Sequence, residues 1–250
     1  PYPTSVIIKK GQSVDTVSLR TTLWYPLVVK PANRWCGKGI SIVFHPHQLP
    51  AALMEAGTFW KTIIIQRFIS GDDYRIMVVG DKIIAWLKRM PASVIGDGKH
   101  TIKELIHAKN TSPQRWKSCA VSILTEVKID AITKRYLKDA YGYTLQTIPK
   151  KKRRIFLRGN SNLSTWWDAE DITDIIHPKF KRICIKLARL CSCPIVWVDI
   201  IAWDISKDPA VQERAVIELN DNAQYNIHQT DIFGTPRDVA GAILDLYFWK

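Results

Sequence analysis

The chain has 250 residues, 46% hydrophobic and 24% charged, and 36 Lys and Arg against 23 Asp and Glu give it a formal net charge of +13. That is enough material to bury a substantial core in one or two domains. No apolar run approaches the roughly 18 residues of a membrane span and no signal peptide is expected, so a membrane-spanning protein is excluded and a cytoplasmic enzyme is the expectation.

In chain order, strands are predicted around Ser5 to Lys9 and at Leu27 to Val29, a short β-branched run that delivers Lys30 just before Pro31 breaks the pattern. A lysine there is a point charge suited to phosphate oxygens. The loop Asn33 to Ile40 follows, with Gly37 and Gly39 flanking Lys38, a composition that can turn backbone N–H groups toward an anion. After a helix near His47 to Ala56, Ile63 to Phe68 reads as a strand, Ser70-Gly71-Asp72-Asp73 as a tight turn, and Tyr74 to Val79 as a second strand. Strand, turn and strand offer a backbone edge for a purine and an acid for ribose hydroxyls, or else an ordinary hairpin with a solvated acidic turn.

Helical periodicity marks Thr101 to Lys109 and Ile129 to Ala140, and Ile155 to Leu157 reads as a strand. Pro178 to Leu190 is predicted as a helix with Phe180, Ile183, Leu187 and Leu190 on one side. Asp199 ends the apolar run Ile195 to Val198. In Ile217-Glu218-Leu219-Asn220 the strand period of two puts Glu218 and Asn220 on one face. Two oxygen ligands there, with Asp199 from a neighbouring strand, suit Mg²⁺, which is held by few protein oxygens plus substrate phosphates. A half-buried strand with polar residues facing water is the alternative.

The order of these pieces, with LKRMPASVIGDGKHTIKELI (Leu87 to Ile106), GYTL (Gly142 to Leu145), FLRGNSNLST (Phe156 to Thr165), DITDIIHP (Asp171 to Pro178) and GTPRDVAGAILDLYF (Gly234 to Phe248), resembles the ATP-grasp ligases. Within them the chain is most similar to the cyanophycin synthetase ATP-grasp domain and to the glutathione-synthetase half of the bifunctional glutathione enzymes. The resemblance implies an α+β fold of two subdomains with ATP held between their sheets: residues 1–65, apparently incomplete at the start, and 66–250, with a family insertion at about 89–160.

It also implies a reaction in which a carboxylate attacks the γ-phosphate of ATP and an amine then attacks the acyl phosphate to form an amide. By position, Lys30 and Gly37-Lys38-Gly39 would hold the phosphates, Gln66, Arg67, Phe68 and Ile69 would line the adenine pocket, and Asp73 would take the ribose. Gln66 stands where the family often has glutamate. Asp199, Glu218 and Asn220 would carry the metal, expected as two Mg²⁺ ions, and Arg75, Arg89 and Arg158 are candidates for stabilising the transferred phosphoryl charge. Expected substrates are ATP and an amino acid added to a peptide, as in cyanophycin synthesis. Glycine added to γ-glutamylcysteine is the alternative, and a homo-oligomer is possible. A basic protein that keeps the fold to bind nucleotide or a polyanion is the alternative of another class. The run Lys150-Lys151-Lys152-Arg153-Arg154 could suggest nucleic acid, but a solvated turn is expected. The five cysteines, Cys36, Cys119, Cys184, Cys191 and Cys193, are odd in number and read as reduced thiols.

One departure from the family pattern recurs. Trp166-Trp167 stand where the loop after NLST should read Gly-Gly, and Trp24, Trp35, Trp116 and Trp197 also stand at expected glycines. Trp60, Trp86, Trp203 and Trp249 are expected at loop or strand-end positions where glycine would be unsurprising. These are all ten tryptophans, while glycine is 12 of 250 residues, below the roughly 7% of average usage. The pattern is the one expected if UGA codons read as glycine in the cell have been written as tryptophan. Genuine tryptophans would instead mark a degenerate relative.

Overall fold

The computed structural model describes all residues except 1, 13–18, 20, 34–38, 113–114, 117–123, 159–166, 222–224, 230–233 and 249–250. The first sheet is antiparallel, in the order β1-β4-β2-β3: β1 (Ser5–Lys9), β2 (Leu27–Pro31), β3 (Ser41–Val43) and β4 (Thr62–Arg67). Helix α1 (Leu49–Phe59) covers it, and Leu49, Ala52 and Ala56 pack on Leu27, Val29, Ile63 and Ile65, the inward residues of β2 and β4.

The second sheet is also antiparallel, in the order β11-β6-β5-β12-β13. Its strands are β5 (Asp72–Val79), β6 (Lys82–Pro91), β11 (Trp167–Asp171), β12 (Ile195–Ala202) and β13 (Arg214–Asn220). One face is apolar where Tyr74, Ile76, Val78, Val198 and Ile200 lie under helix α4 (Pro178–Leu190). The other face divides along its length. Met77, Val79, Leu87 and Trp197 pack against Ile227 and against Val239 of helix α5 (Val239–Phe248), while Asp73, Arg75, Arg89 and Asp199 continue the same face into a charged region. Arg237, just before α5, bonds Asp171 at 2.5 Å and Asp174 at 2.7 Å, tying the closing segment to the edge of the sheet.

Between Pro91 and β11 lies a smaller body with its own core of Val94, Ile102, Ile106, Leu137, Ile155 and Leu157. It contains β7 (Ser93–Ile95) paired with β10 (Arg154–Phe156), a short parallel pair β8 (Arg115–Trp116) and β9 (Leu124–Thr125), and helices α2 (Ile102–Asn110) and α3 (Ala131–Tyr141). The sequence block GDGKHT is a cap: Asp97 accepts from the backbone of Lys99 and His100, and Thr101 and Glu104 form a capping box at the start of α2. The basic run closes against that turn. The Gly96 N–H donates to the Arg153 carbonyl and the Lys152 N–H to the Gly96 carbonyl, and a Cβ on Gly96 would stand 2.3 Å from the Lys150 carbonyl oxygen. Lys150 to Arg153 are exposed, as a solvated turn requires.

Three expectations are corrected. The turn after β4 is shorter than predicted, because β5 begins at Asp72; Asp73 is therefore a strand residue, 3% exposed, rather than a solvated turn acid. The inward stripe of α4 is Phe180, Cys184 and Ala188, whose i, i+4 spacing and small members sit against the sheet, and Leu190 is 70% exposed. Trp86 is not at a strand end. It lies within β6, fully buried, with its ring edge-on to Phe180 at 6.3 Å.

Candidate active site

The two sheets meet where β2 and β4 face the charged end of β5, β12 and β13. Lys30 comes from β2, with its amine drawn down from the usual lysine range by burial and partly restored by the charge of Glu218 on β13. A cation from one sheet therefore faces a carboxylate from the other. Arg67 at the end of β4 spans the same gap, 2.9 Å from Glu213.

Within the second sheet, antiparallel register places Asp199 of β12 beside Arg75 of β5 on one side and Glu218 of β13 on the other. A bulge between Asp199 and Ile200 shifts the β12–β13 register, a device that re-aims side chains beside sites. Arg75 holds Asp199 through two bonds of 2.8 and 2.7 Å and lies 3.8 Å from Glu218. Arg89 of β6 bonds Asp73 at 2.6 Å and Asp199 at 3.0 Å. Burial alone would raise the Asp199 carboxyl, but the Arg89 and Arg75 guanidiniums outweigh it and hold the carboxyl below its usual range. At Asp73 burial wins and the carboxyl is raised, with Oδ2 unpaired among the described residues. The Arg89 guanidinium is held charged by the two acids despite burial.

The expected metal set is thus adjacent: Asp199 and Glu218 are cross-strand neighbours, and Asn220, two residues along β13, donates its amide to Glu218 at 2.9 Å. Among the described residues no cluster of three or more His, Cys, Asp or Glu side chains could hold a metal. The set here is two carboxylates and an amide oxygen, hard oxygen donors whose chemistry fits Mg²⁺ bound largely through phosphates. Glu218 is half exposed, whereas both Asp199 oxygens already accept from guanidinium groups.

The residues expected to line adenine lie on β4 and in the link that follows it. Gln66 is buried on β4, flanked in register by Ser5 and Val28, and the Phe68 N–H donates to the Pro26 carbonyl at 3.1 Å. Ile69 follows in the link to β5, and its backbone has no bond to a described residue. Gly71 is fixed by space: its φ is +149°, and a Cβ would meet the Ala202 backbone at 2.7 Å. Of the phosphate loop, Gly39 is described, with φ +76° and the Phe59 ring 2.5 Å from where its Cβ would be. Gly37 and Lys38 lie outside the described residues, as do Trp35 and Trp166.

Arg158 is not shown beside Arg75 and Arg89; it pairs with Asp130, which caps α3 through the Thr133 N–H. His228 is a residue that the sequence pattern does not single out. The structure buries it beside Trp197, ring centroids 6.1 Å apart, with neither ring nitrogen partnered among the described residues. Burial pushes its pKa down to about 4. A lone histidine in a long motif carries no periodic signal, so its burial was not readable.

The family model described as D-ala D-ala ligase C-terminus matches residues 4–107. Cyanophycin synthetase of Trichormus variabilis is 35% identical over 225 residues, covering 90% of this chain and 25% of that protein. The glutathione biosynthesis bifunctional protein GshAB of Clostridium perfringens is 36% identical over 252 residues, covering 98% and 32%. The chain thus spans between a quarter and a third of the length of these relatives. Among solved structures, a bifunctional glutathione synthetase from Pasteurella multocida superposes with a TM-score of 0.72 at 30% identity, covering 98% of this chain and 34% of that one. D-alanine–D-alanine ligase from Bacillus anthracis shares the fold at 12% identity and a TM-score of 0.51, covering 88% of this chain and 51% of that one. Two antiparallel sheets facing each other across this cluster, and these likenesses over almost the whole chain, agree: the chain has the ATP-grasp fold and is related to the ATP-grasp ligases.

Proposed function

We propose that the chain provides the nucleotide-binding and phosphoryl-transfer site of an ATP-dependent carboxylate–amine ligase that adds an amino acid to a peptide, as the relatives named cyanophycin synthetase suggest. The observation that carries this reading is the cluster of Asp199, Glu218 and Asn220 on neighbouring strands with Arg75 and Arg89 against them, on the second sheet where the charge of Glu218 acts on Lys30 of the first. Residues 1–65 and 66–250 would act as the two jaws.

In this reading Gln66, Arg67, Phe68 and the Ile69 backbone receive adenine. Lys30 and the Gly37-Lys38-Gly39 loop hold phosphate oxygens. Asp199, Glu218 and Asn220 would hold Mg²⁺, as two ions, which supplies charge neutralisation between the phosphates. Arg75, beside Glu218, offsets charge on the transferred phosphoryl group. Arg89, locked between Asp73 and Asp199, positions both acids. Arg158, paired with Asp130, is kept as a candidate for the same anion, and Asp73 for the ribose hydroxyls. Catalysis is then positioning and electrostatics, with no side-chain nucleophile.

The test is ADP release with candidate carboxylates and amines. Turnover that requires an amine acceptor and is abolished in Glu218→Gln supports the ligase; turnover that persists in Glu218→Gln removes the metal assignment. Use of glycine and γ-glutamylcysteine in place of an amino acid and a peptide would select the glutathione-type substrate. A non-catalytic nucleotide-binding relative is favoured by one observation, the Trp197 indole beside Asn220, if that tryptophan is genuine.

A further inference from the structure

The tryptophans do not behave alike. Trp86 is enclosed in a regular strand and packed on Phe180, away from the charged cluster, although its indole N–H too is buried without a partner among the described residues. Trp24 is the opposite. Its φ is +58°, in the left-handed region that glycine enters freely and that a side chain with a Cβ disfavours, and its ring is 67% exposed, so no burial offsets the strain.

Trp197 is misplaced in a different way. It lies on the same face of β12 as Asp199 and directly across from Asn220 on β13. Its indole fills the space between the Arg75 guanidinium, 4.4 Å from the ring centroid, and the His228 imidazole. There it leaves its own N–H and both His228 nitrogens buried without partners among the described residues. Orphaned buried polar groups are rare in native proteins, and here three of them surround one side chain. A residue with no side chain at 197 removes one of the three outright and opens a path to the other two and to Asn220.

We propose that glycine, not tryptophan, stands at positions 24 and 197 in the protein its source cell makes, UGA codons there being read as glycine. The same decoding restores Gly-Gly at 166 and 167, where the sequence pattern demands it. Glycine at 197 gives the cluster of Arg75, Asn220 and His228 an open side, next to the carboxylates that face Lys30.

The measurement is mass spectrometry of tryptic peptides from the native protein isolated from its source cells, fragmented to read positions 24 and 197. Glycine at both is expected, each peptide lighter by an indolylmethylene unit per position. Tryptophan at either overturns the proposal, as do UGG codons at those positions in the gene. Neither readout depends on activity, so the proposal can fail while the ligase reading stands, and the reverse. A second readout uses the recombinant chain with Trp197→Gly: the His228 ring protons, followed by NMR, are expected to titrate nearer the ordinary imidazole range than in the tryptophan form, and an unchanged titration counts against an opened site.

Discussion

Arg89 bridges Asp73 and Asp199, at 2.6 and 3.0 Å, and all three side chains are largely withdrawn from water. The guanidinium joins the acid expected on the ribose side to the acid expected at the metal, across β5, β6 and β12. Replacing it by an apolar residue of similar length leaves the buried Asp73 without its ion-pair partner and Asp199 with Arg75 alone, a loss of about 3–5 kcal/mol. Arg89→Met is therefore expected to lower the urea midpoint strongly, and a midpoint within experimental error of the parent chain would show the bridge to be dispensable.

Glu218 behaves oppositely, because its side chain is half exposed and its loss leaves Arg75 still paired with Asp199. Glu218→Gln should leave stability within about 0.5 kcal/mol of the parent. ATP turnover, in contrast, should fall by roughly 100-fold or more, the scale of removing a group aimed at transition-state charge. Equal losses of stability and turnover would mean a structural role only.

Lys30 is held partly out of water, and burial disfavours its charge. Lys30→Met should therefore leave the unliganded fold as stable as before, or slightly more so. ATP binding measured by calorimetry should weaken by at least roughly tenfold, equivalent to about 1.4 kcal/mol. Unchanged affinity would remove Lys30 from the phosphate site.

His228 carries a pH signature. Its folded pKa is about 4 against an ordinary 6.5, so the unfolded chain binds the proton more readily. Stability is complete above pH 6.5 and declines as pH falls from there toward 4, by an amount on the order of 3 kcal/mol. Urea melts of the tryptophan-bearing chain at pH 7 and pH 5 should show the drop, and His228→Gln should flatten it. In Trp197→Gly the drop should shrink, since water then reaches the imidazole.

The strands that frame the site were legible because their apolar runs are short and β-branched: Leu27 to Val29 appears as β2 with Lys30 in it, and Ile217 to Asn220 as β13 with Glu218 and Asn220 on one face. The charged network was not. Local pattern made Asp72 and Asp73 a turn, whereas pairing with β6 and β12 draws both into β5, and only that register brings Arg75 against Asp199, 124 residues away. Trp86 failed for the same reason, since nothing local distinguishes the middle of β6 from its end until Phe180 of α4 covers it.

The Arg67–Glu213 pair joins the sheets through side chains 52% and 29% exposed. Such an ion pair contributes at most about 1 kcal/mol and fades with added salt. As a latch it yields to ordinary thermal agitation, so rising ionic strength should loosen the grip between the sheets well before it threatens either one. The interval over which the cleft swings while both halves stay folded is set by the strength of surface contacts such as this one relative to the two cores.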